Sequence, residues 1–207
     1  MWRSLLAAVL LAMIVGCTDG IGTPIRQRAL QQTPDDDTTA DEDGGRDQHE
    51  ELDLEHCADS FDWPESYAAG EDELLEAINA ARREGFRCGD GDGDGDGDRG
   101  VDEHAPPLRP SPALRCSARL HSRDMVERDF IGRSNPDGDG PGDRMRRAGF
   151  YVDDWDEAIE SGARSASTAL LALLDDYDDC MSLRSRELTH IGVGNYEDRW
   201  TVDLASD

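Results

Sequence analysis

The chain has few basic residues for its length. Lysine and arginine together number 21, against 47 aspartates and glutamates in 207 residues, which gives a net charge of −26. Such a charge repels phosphate-rich partners at long range, so the sequence predicts no binding to nucleic acid. It also argues against electrostatic docking on anionic lipid. We therefore expect partners that are cations, basic proteins or neutral ligands.

The sequence also lacks an apolar run that is long enough to span a membrane as a mature helix. Residues 5–15 form a run of 11 residues behind Arg3, which is shorter than a spanning helix and typical of a secretory signal. The run ends in Ile14-Val15-Gly16-Cys17, which resembles a bacterial lipobox with Cys17 as the acylated first residue. We predict a lipoprotein signal peptide at residues 1–16. The mature protein is then a lipoprotein of the bacterial cell envelope, held by its anchor, with the outer membrane expected where two membranes exist. The alternative is a plain signal peptide with an incidental cysteine and a secreted protein.

Residues 17–69 contain few aromatic or branched apolar side chains. They carry acid clusters at Asp35-Asp36-Asp37, Asp41-Glu42-Asp43 and Glu50-Glu51. A segment of this composition buries too little apolar surface to offset the entropy of ordering it. We predict an acidic, disordered linker that holds the following domain away from the membrane. Only its end, around Cys57 and residues 61–63, is expected to dock on the domain.

Cysteines are scarce after Cys17. The remaining four are Cys57, Cys88, Cys116 and Cys180, an even number in an exported chain, which predicts two disulfides with three possible pairings. Metal binding is the alternative, but the chain has no Cys-x-x-Cys pair and no histidine spacing that supports zinc.

The periodicity of apolar residues predicts a small α/β domain. Helices are expected at residues 71–84, from Ser111-Pro112 onward, at 143–148 and at 168–177. Strands are expected at residues 154–159, 190–196 and 199–204. This inventory favours an antiparallel sheet flanked by helices.

Several motifs give the domain a family resemblance. They are Ala118-Arg119-Leu120-His121-Ser122-Arg123-Asp124-Met125, Phe130 with Pro136-Asp137-Gly138, Ile191-Gly192-Val193-Gly194, and Trp200-Thr201. Over about residues 71–204 the chain resembles the bacterial branch of the CAP superfamily (SCP-like domains), whose members read A-x-x-H-S-x-D-M, E-I-G-V-G and W-T-Q-x-F-G. The resemblance implies an SCP-like domain at residues 70–207 with a three-layer α-β-α sandwich. It also implies the disulfide Cys88–Cys180, which leaves Cys57–Cys116 as the second.

The resemblance further implies a cavity lined by two histidines and acidic residues, which in some members holds a divalent cation. In this chain Arg133 and Asp179 stand at the two histidine positions, while Glu157 keeps the cavity carboxylate. A guanidinium group has no lone pair for a metal. It would also repel a divalent ion at about 5 Å by about 6 kcal/mol at an effective dielectric near 20. We therefore expect no metal in the cavity. Two arrangements stay open: Arg133 forms an ion pair between Glu157 and Asp179, or it turns into solvent.

Catalytic residues are not predicted. His121 lies alone on the apolar face of the second helix, which is typical of a core histidine with satisfied hydrogen bonds. Its neighbour Ser122 points about 100° away on a helix, so the two do not form a base–nucleophile pair. The chain has no G-x-S-x-G motif either, which disfavours a serine hydrolase.

An insertion at residues 89–100 contains an alternating run of glycine and aspartate. Part of it fits the calcium-loop pattern D-x-D-x-D-G-x5-E, and the candidate calcium ligands are Asp92, Asp94, Asp96, Asp98 and Glu103. A strict Gly-Asp repeat satisfies most of that pattern automatically, and only Glu103 is independent of the repeat. A solvated insertion in a surface loop is therefore the favoured interpretation, with weak calcium binding as the alternative.

Together these observations predict an extracytoplasmic, lipid-anchored SCP-like protein without a cofactor and with a degenerate cavity. We expect a non-enzymatic role, either binding a protein or small molecule of unknown identity or building the envelope surface. One alternative is a divergent metal-dependent or hydrolase-type member, which the retained Glu157 favours. The other is a surface module that binds calcium weakly.

Overall fold

The computed structural model describes residues 50–88 and 104–206. The predicted signal peptide, the lipidation site Cys17, most of the predicted linker and the calcium candidates at residues 92–103 lie outside the described residues. Among the residues described, no helix is long and apolar enough to cross a membrane. The helices and strands, in chain order, are α1 (Ala58–Phe61), α2 (Glu65–Glu84), β1 (Arg109–Pro110), α3 (Pro112–Glu127), α4 (Pro141–Ala148), β2 (Trp155–Ser161), α5 (Ala166–Asp175), α6 (Tyr177–Arg184), β3 (His190–Tyr196) and β4 (Arg199–Ala205).

The four strands form one sheet in the order β1-β3-β4-β2. The β3–β4 and β4–β2 pairs are antiparallel as expected, whereas the two-residue strand β1 pairs in parallel with β3. Asp203 of β4 is opposite Glu157 of β2 on one side and opposite Gly192 of β3 on the other. Because side chains alternate along a strand, these three positions face the same side of the sheet.

Helices cover both faces of this sheet, and each face has its own hydrophobic cluster. On one face α2, α5 and α6 contribute Leu74, Leu173 and Leu183, which pack with Val193 and Val202 of the central strands. On the other face α3 and α4 pack around a second set, which comprises Ala113, Leu114, Cys116, Met145, Ala148, Phe150, Ala205 and Cys57. The fold is therefore the three-layer α-β-α sandwich that the resemblance implied.

Two glycines of β3 set how closely α3 approaches the sheet. A Cβ atom on Gly192 would lie 2.1 Å from the backbone carbon of Leu114, and one on Gly194 would lie 2.2 Å from that of Ala118. No real Cβ contact is this short, so only glycine permits the observed packing. The close approach brings the polar side chains of α3 directly against β4.

The described domain begins earlier in the chain than residue 70, where we placed its boundary. Glu50 forms a bridge with Phe150, and Cys57 is fully buried. Helix α2 starts at Glu65, six residues before the predicted start. The first turn of α2 lacks the periodic apolar residues from which the helix was predicted. It is held by Tyr67, whose ring centroid lies 5.4 Å from that of Tyr196. Residues 50–69 of the predicted linker thus pack on the domain, whereas docking was expected only around Cys57 and residues 61–63.

Capping explains both a correct prediction and a wrong one. Ser111 caps α3 as expected, because its hydroxyl accepts a hydrogen bond from the Leu114 amide at 3.1 Å. The helix predicted at residues 168–177 corresponds to α5, which ends two residues earlier, and the following helix α6 was not predicted. Asp176 ends α5 and caps α6, with its carboxylate accepting from the Asp179 amide at 3.0 Å. A side-chain cap of this kind competes with continuation of the helix.

Two disulfides hold the segments that flank the sandwich. One joins Cys88 to Cys180 and the other joins Cys57 to Cys116. This is the pairing that the resemblance implied.

Candidate functional site

The two residues at the histidine positions contact each other. Arg133 lies in the loop between α3 and α4, and Asp179 lies in the first turn of α6. The guanidinium Nη2 donates to the Asp179 Oδ1 at 2.6 Å. The Asp179 side chain is only 8% exposed, whereas that of Arg133 is 45% exposed. The ion pair thus places a buried carboxylate under a half-exposed cation.

The pKa of Asp179 reflects this position. Burial raises its pKa to about 6, and the positive charge of Arg133 opposes the rise. Arg133 therefore favours the ionised form of Asp179.

One of the two expected arrangements required Arg133 to pair with Glu157 as well as with Asp179. In the structure Glu157 does not pair with Arg133. It pairs with Arg144 of α4, whose Nη2 donates to its Oε2. The Nη1 of Arg144 also donates to the backbone oxygens of Arg133 and Asp139, at 2.8 and 3.1 Å. Arg144 thereby ties the Arg133 loop to the sheet. Its role was not predicted from the sequence, because nothing in its spacing distinguishes it from the other arginines of α4.

A second residue that was not predicted from the sequence lies beside Glu157. Asp203 is opposite Glu157 in the sheet, and both side chains are fully buried. Burial is the largest cause that raises the pKa of each carboxyl, the charge of Asp203 raises the pKa of Glu157 further, and Arg144 opposes both increases. One positive charge thus stands beside two buried carboxyls, and the pKa of each carboxyl is raised. The alternation in Thr201-Val202-Asp203-Leu204 is a signal that would have placed Asp203 on the face of the strand opposite Val202 and Leu204.

These residues do not fit a divalent cation. Both guanidinium groups occupy coordination space beside the carboxylates and supply no lone pair. Within residues 50–88 and 104–206, no three histidine, cysteine, aspartate or glutamate side chains are grouped so that they could hold a metal ion. The calcium candidates Asp92, Asp94, Asp96, Asp98 and Glu103 lie outside those ranges.

His121 is a core histidine, as predicted, but only one of its ring nitrogens is satisfied. Its side chain is 1% exposed and its Nε2 lies 3.0 Å from the carbonyl oxygen of Gly132. Its Nδ1 has no hydrogen-bond partner among the described residues. Burial, followed by the charge of Arg144, lowers its pKa to about 4. His121 is therefore neutral at physiological pH.

Ser122 is part of the packing of α3 on the sheet. Its hydroxyl lies 3.1 Å from the Gly194 carbonyl oxygen and 2.9 Å from the Thr201 hydroxyl. It is fully buried and makes no contact with a ring nitrogen of His121. The arrangement is not that of an activated nucleophile.

Comparison with known proteins gives a consistent picture. Residues 75–203 match the model of the family described as CAP, the cysteine-rich secretory protein family. The uncharacterized protein YkwD of Bacillus subtilis is 25% identical over 135 residues, which are 65% of this chain and 45% of that protein. The chain thus spans less than half the length of this relative.

Solved structures of low sequence identity share the fold. An extracellular protein of Bacillus anthracis that contains an SCP domain superimposes with a TM-score of 0.57 at 18% identity, over 68% of this chain and 41% of that one. An outer surface protein of Borrelia burgdorferi superimposes with a TM-score of 0.51 at 15% identity, over 67% of this chain and 92% of that one.

Proposed function

Because the chain belongs to the CAP family of cysteine-rich secretory proteins, we propose that it is an extracytoplasmic binding or surface module that does not use a metal in its cavity. The observation that carries this proposal is the pair of ion contacts at the family's site. Arg133 holds Asp179, and Arg144 holds Glu157. Each of these two carboxylates, which would otherwise be available to bind a metal cation, already pairs with the positive charge of an arginine side chain.

The burial of the site argues against a residual hydrolase. Glu157 and Asp203 have no exposed surface, so a substrate does not reach either carboxyl without opening the packing of α3 on the sheet. Asp179 lies under the Arg133 side chain. A general base must come within hydrogen-bond reach of the proton that it removes. None of the three acids meets this condition in the described structure.

The lipid anchor at Cys17 is part of the same proposal. The lipobox-like Ile14-Val15-Gly16-Cys17 supports it, and so does the predicted linker that follows. Two of the structural relatives are named as an extracellular protein and an outer surface protein. Labelling cells with radioactive palmitate checks the anchor, since Cys17→Ser abolishes incorporation if Cys17 is the acylated residue.

Metal titration tests the main part of the proposal. We expect no stoichiometric zinc in the purified chain with intact disulfides, by elemental analysis and by isothermal titration. The double variant Arg133→His/Asp179→His restores the lone-pair donors that the family pattern has, and we expect it to gain zinc affinity. Calcium is titrated separately, because it reports on the Gly-Asp insertion instead of the cavity.

A matched control places two histidines elsewhere. Arg146 and Asp153 form an ion pair at the surface, with Arg146 48% exposed and Asp153 fully exposed. Arg146→His/Asp153→His therefore adds the same groups outside the cavity. Stoichiometric zinc in the wild-type chain contradicts the proposal. Equal zinc affinity in the two double variants contradicts the claim that the cavity residues decide metal binding.

A further inference from the structure

A cavity lies beside the two-residue strand β1, where α2 and the start of α3 approach each other. Its volume is about 470 Å³, within the range of pockets that hold small molecules. Its lining comes from α2, from the segment that joins β1 to α3 and from β3, and it includes none of the residues at the family's site. The lining residues are Asp72, Leu75, Glu76, Pro110, Ser111, Pro112, Arg115 and Val193. We call it the α2–β1 cavity.

The accessible lining of the α2–β1 cavity is mainly apolar. Leu75 is half-buried, so part of its side chain remains accessible, and the rings of Pro110 and Pro112 are exposed. These rings are rigid, so contact with a ligand costs them no side-chain entropy. The hydroxyl of Ser111 already donates to Glu50 at 2.9 Å. The cavity therefore favours a ligand that buries apolar surface.

The charged side chains at the cavity leave one carboxylate without a cation. Arg115 pairs with Asp72 and with the buried Glu71. Arg119 pairs with Glu71 as well. Glu76 is exposed and forms no ion pair with a described residue. Two guanidinium groups thus stand beside three carboxylates, and Glu76 carries the negative charge that is left over.

This distribution of charge selects the class of ligand. An anion is repelled by Glu76 and has to displace a carboxylate from Arg115 before it can pair with the guanidinium. A neutral apolar molecule makes the apolar contacts but leaves the charge of Glu76 unused. A molecule that joins one positive charge to an apolar body makes both kinds of contact at once.

We propose that the α2–β1 cavity binds a small amphipathic amine, which is a molecule with one ammonium group on a short apolar body. The ammonium group pairs with Glu76, and the apolar body contacts Leu75, Pro110 and Pro112. The net charge of −26 supports this ligand class, because it raises the concentration of small cations near the chain. This inference goes beyond the proposed function, which concerns the site around Glu157.

The experiment uses four probes: 3-methylbutylamine, 3-methylbutanol, 4-methylpentanoate and methylamine. The first three share a branched apolar body and differ in charge, whereas methylamine keeps the ammonium group and lacks that body. Each probe is titrated into the ¹³C-labelled chain with both disulfides formed, at pH 7 and constant ionic strength, because salt screens the Glu76 charge. The methyl resonances of Leu75 are followed by NMR.

We expect 3-methylbutylamine to shift the Leu75 resonances in a saturable way with millimolar affinity, which is typical of a ligand with so few atoms. We expect 3-methylbutanol to bind about fivefold more weakly, because it lacks the charge that pairs with Glu76. Methylamine and 4-methylpentanoate should bind more weakly still. The first lacks the apolar body, and the second carries the wrong charge.

Two glutamates of α2 provide a matched pair of variants. Glu76 lines the cavity, whereas Glu73 is exposed on the same helix and does not line it. Glu76→Gln should weaken the binding of 3-methylbutylamine about fivefold. Glu73→Gln removes the same charge and should leave the binding unchanged. Both side chains are exposed, so we expect little change in the denaturation midpoint of either variant.

Three outcomes would overturn the proposal. The first is the absence of a saturable response to 3-methylbutylamine. The second is equally tight binding of methylamine or of 3-methylbutanol, which would mean that charge alone or apolar contact alone decides binding. The third is an equal effect of Glu76→Gln and Glu73→Gln, which would mean that the acidic chain attracts amines in general and not at this cavity.

Discussion

The Nη2 of Arg133 lies 2.6 Å from the Oδ1 of Asp179. This contact joins the loop before α4 to the first turn of α6, at the two positions where the family pattern has histidines. Where the family resemblance implies two neutral histidines, the described structure has a pair of opposite charges. Glu157 is also held in an internal ion pair, in which its partner is Arg144 of α4.

Removing the Arg133 side chain should raise the pKa of Asp179. Its pKa is already about 6 because of burial, and the Arg133 charge limits the increase. In Arg133→Ala we expect the pKa to move above 6, as measured by ¹³C NMR of the carboxyl carbon. Arg146→Ala, which removes an exposed partner of Asp153, is the control and should leave Asp179 unchanged. An unaltered Asp179 titration in Arg133→Ala would show that the pair has no electrostatic role.

The two arginines should differ strongly in their effect on stability. Arg144→Ala leaves Glu157 and Asp203 buried without their cation, and we expect a loss of about 3–5 kcal/mol in the free energy of unfolding. Arg133 is half-exposed, and for Arg133→Ala we expect a loss of at most about 1 kcal/mol. Urea denaturation at pH 7 measures both. Equal losses would mean that the buried pair is no more important than the exposed one.

The depressed pKa of His121 predicts a loss of stability in acid. The folded pKa is about 4 against 6.5 for the free side chain, so the unfolded chain binds the proton more tightly. The contribution is fully present above pH 6.5 and is lost as the pH falls toward 4, on the order of 3 kcal/mol in total. We expect imidazole NMR to show no titration of His121 down to about pH 5.

Comparing the wild type with His121→Gln isolates the contribution of His121 to the pH dependence of stability. Asp179 contributes a pH dependence of the opposite sign. Burial raises the pKa of Asp179, so its stabilising contribution is largest in acid and is lost as the pH rises through about 6. Both proteins contain Asp179, and its effect cancels in their difference. We expect the difference in unfolding free energy between wild type and His121→Gln to shrink as the pH falls from 7 to 4.5. A constant difference would contradict the assignment of this pH dependence to His121.

The close approach of α3 to the sheet predicts a sharp contrast between two glycines. Gly194→Ala places a Cβ 2.2 Å from the backbone of Ala118, so α3 must move. We expect a loss of about 1–3 kcal/mol or more, as for other overpacked cores. A Cβ on Gly132 would meet a single neighbouring atom, the backbone oxygen of Ser134 at 3.8 Å, and Gly132→Ala should be nearly neutral. Thermal denaturation of the two variants compares them directly.

Much of the fold was predictable from the sequence because the relevant signals are local or family-specific. The Ser111 cap, the Ile191-Gly192-Val193-Gly194 strand and the residues around Trp200 all lie where they were predicted. The start of α2 was predicted six residues too late, and the boundary between α5 and α6 at Asp176 was not predicted. These features depend on an aromatic contact from a distant strand and on a side-chain cap. Periodicity does not report either interaction.

Only three members of the site were predictable from the sequence, and their pairing was not. Arg133, Glu157 and Asp179 were identified from the family motifs. One of the two open arrangements placed Arg133 between Glu157 and Asp179, and the structure has only its contact with Asp179. The partner of Glu157 depends on which of three arginines on α4 faces the sheet, and that is decided by how α4 packs beside Phe150 and Ala205. The importance of Asp203 likewise follows from strand register, which places it opposite Glu157.

A crystal structure of the chain grown with excess zinc, with anomalous data collected on both sides of the zinc absorption edge, would decide whether the cavity excludes metal. We predict no anomalous peak next to Glu157, with Arg133 bonded to Asp179 and Arg144 bonded to Glu157. A zinc peak within coordination distance of the Glu157 carboxylate, with either arginine turned away, would contradict the proposal that internal cations have replaced the metal.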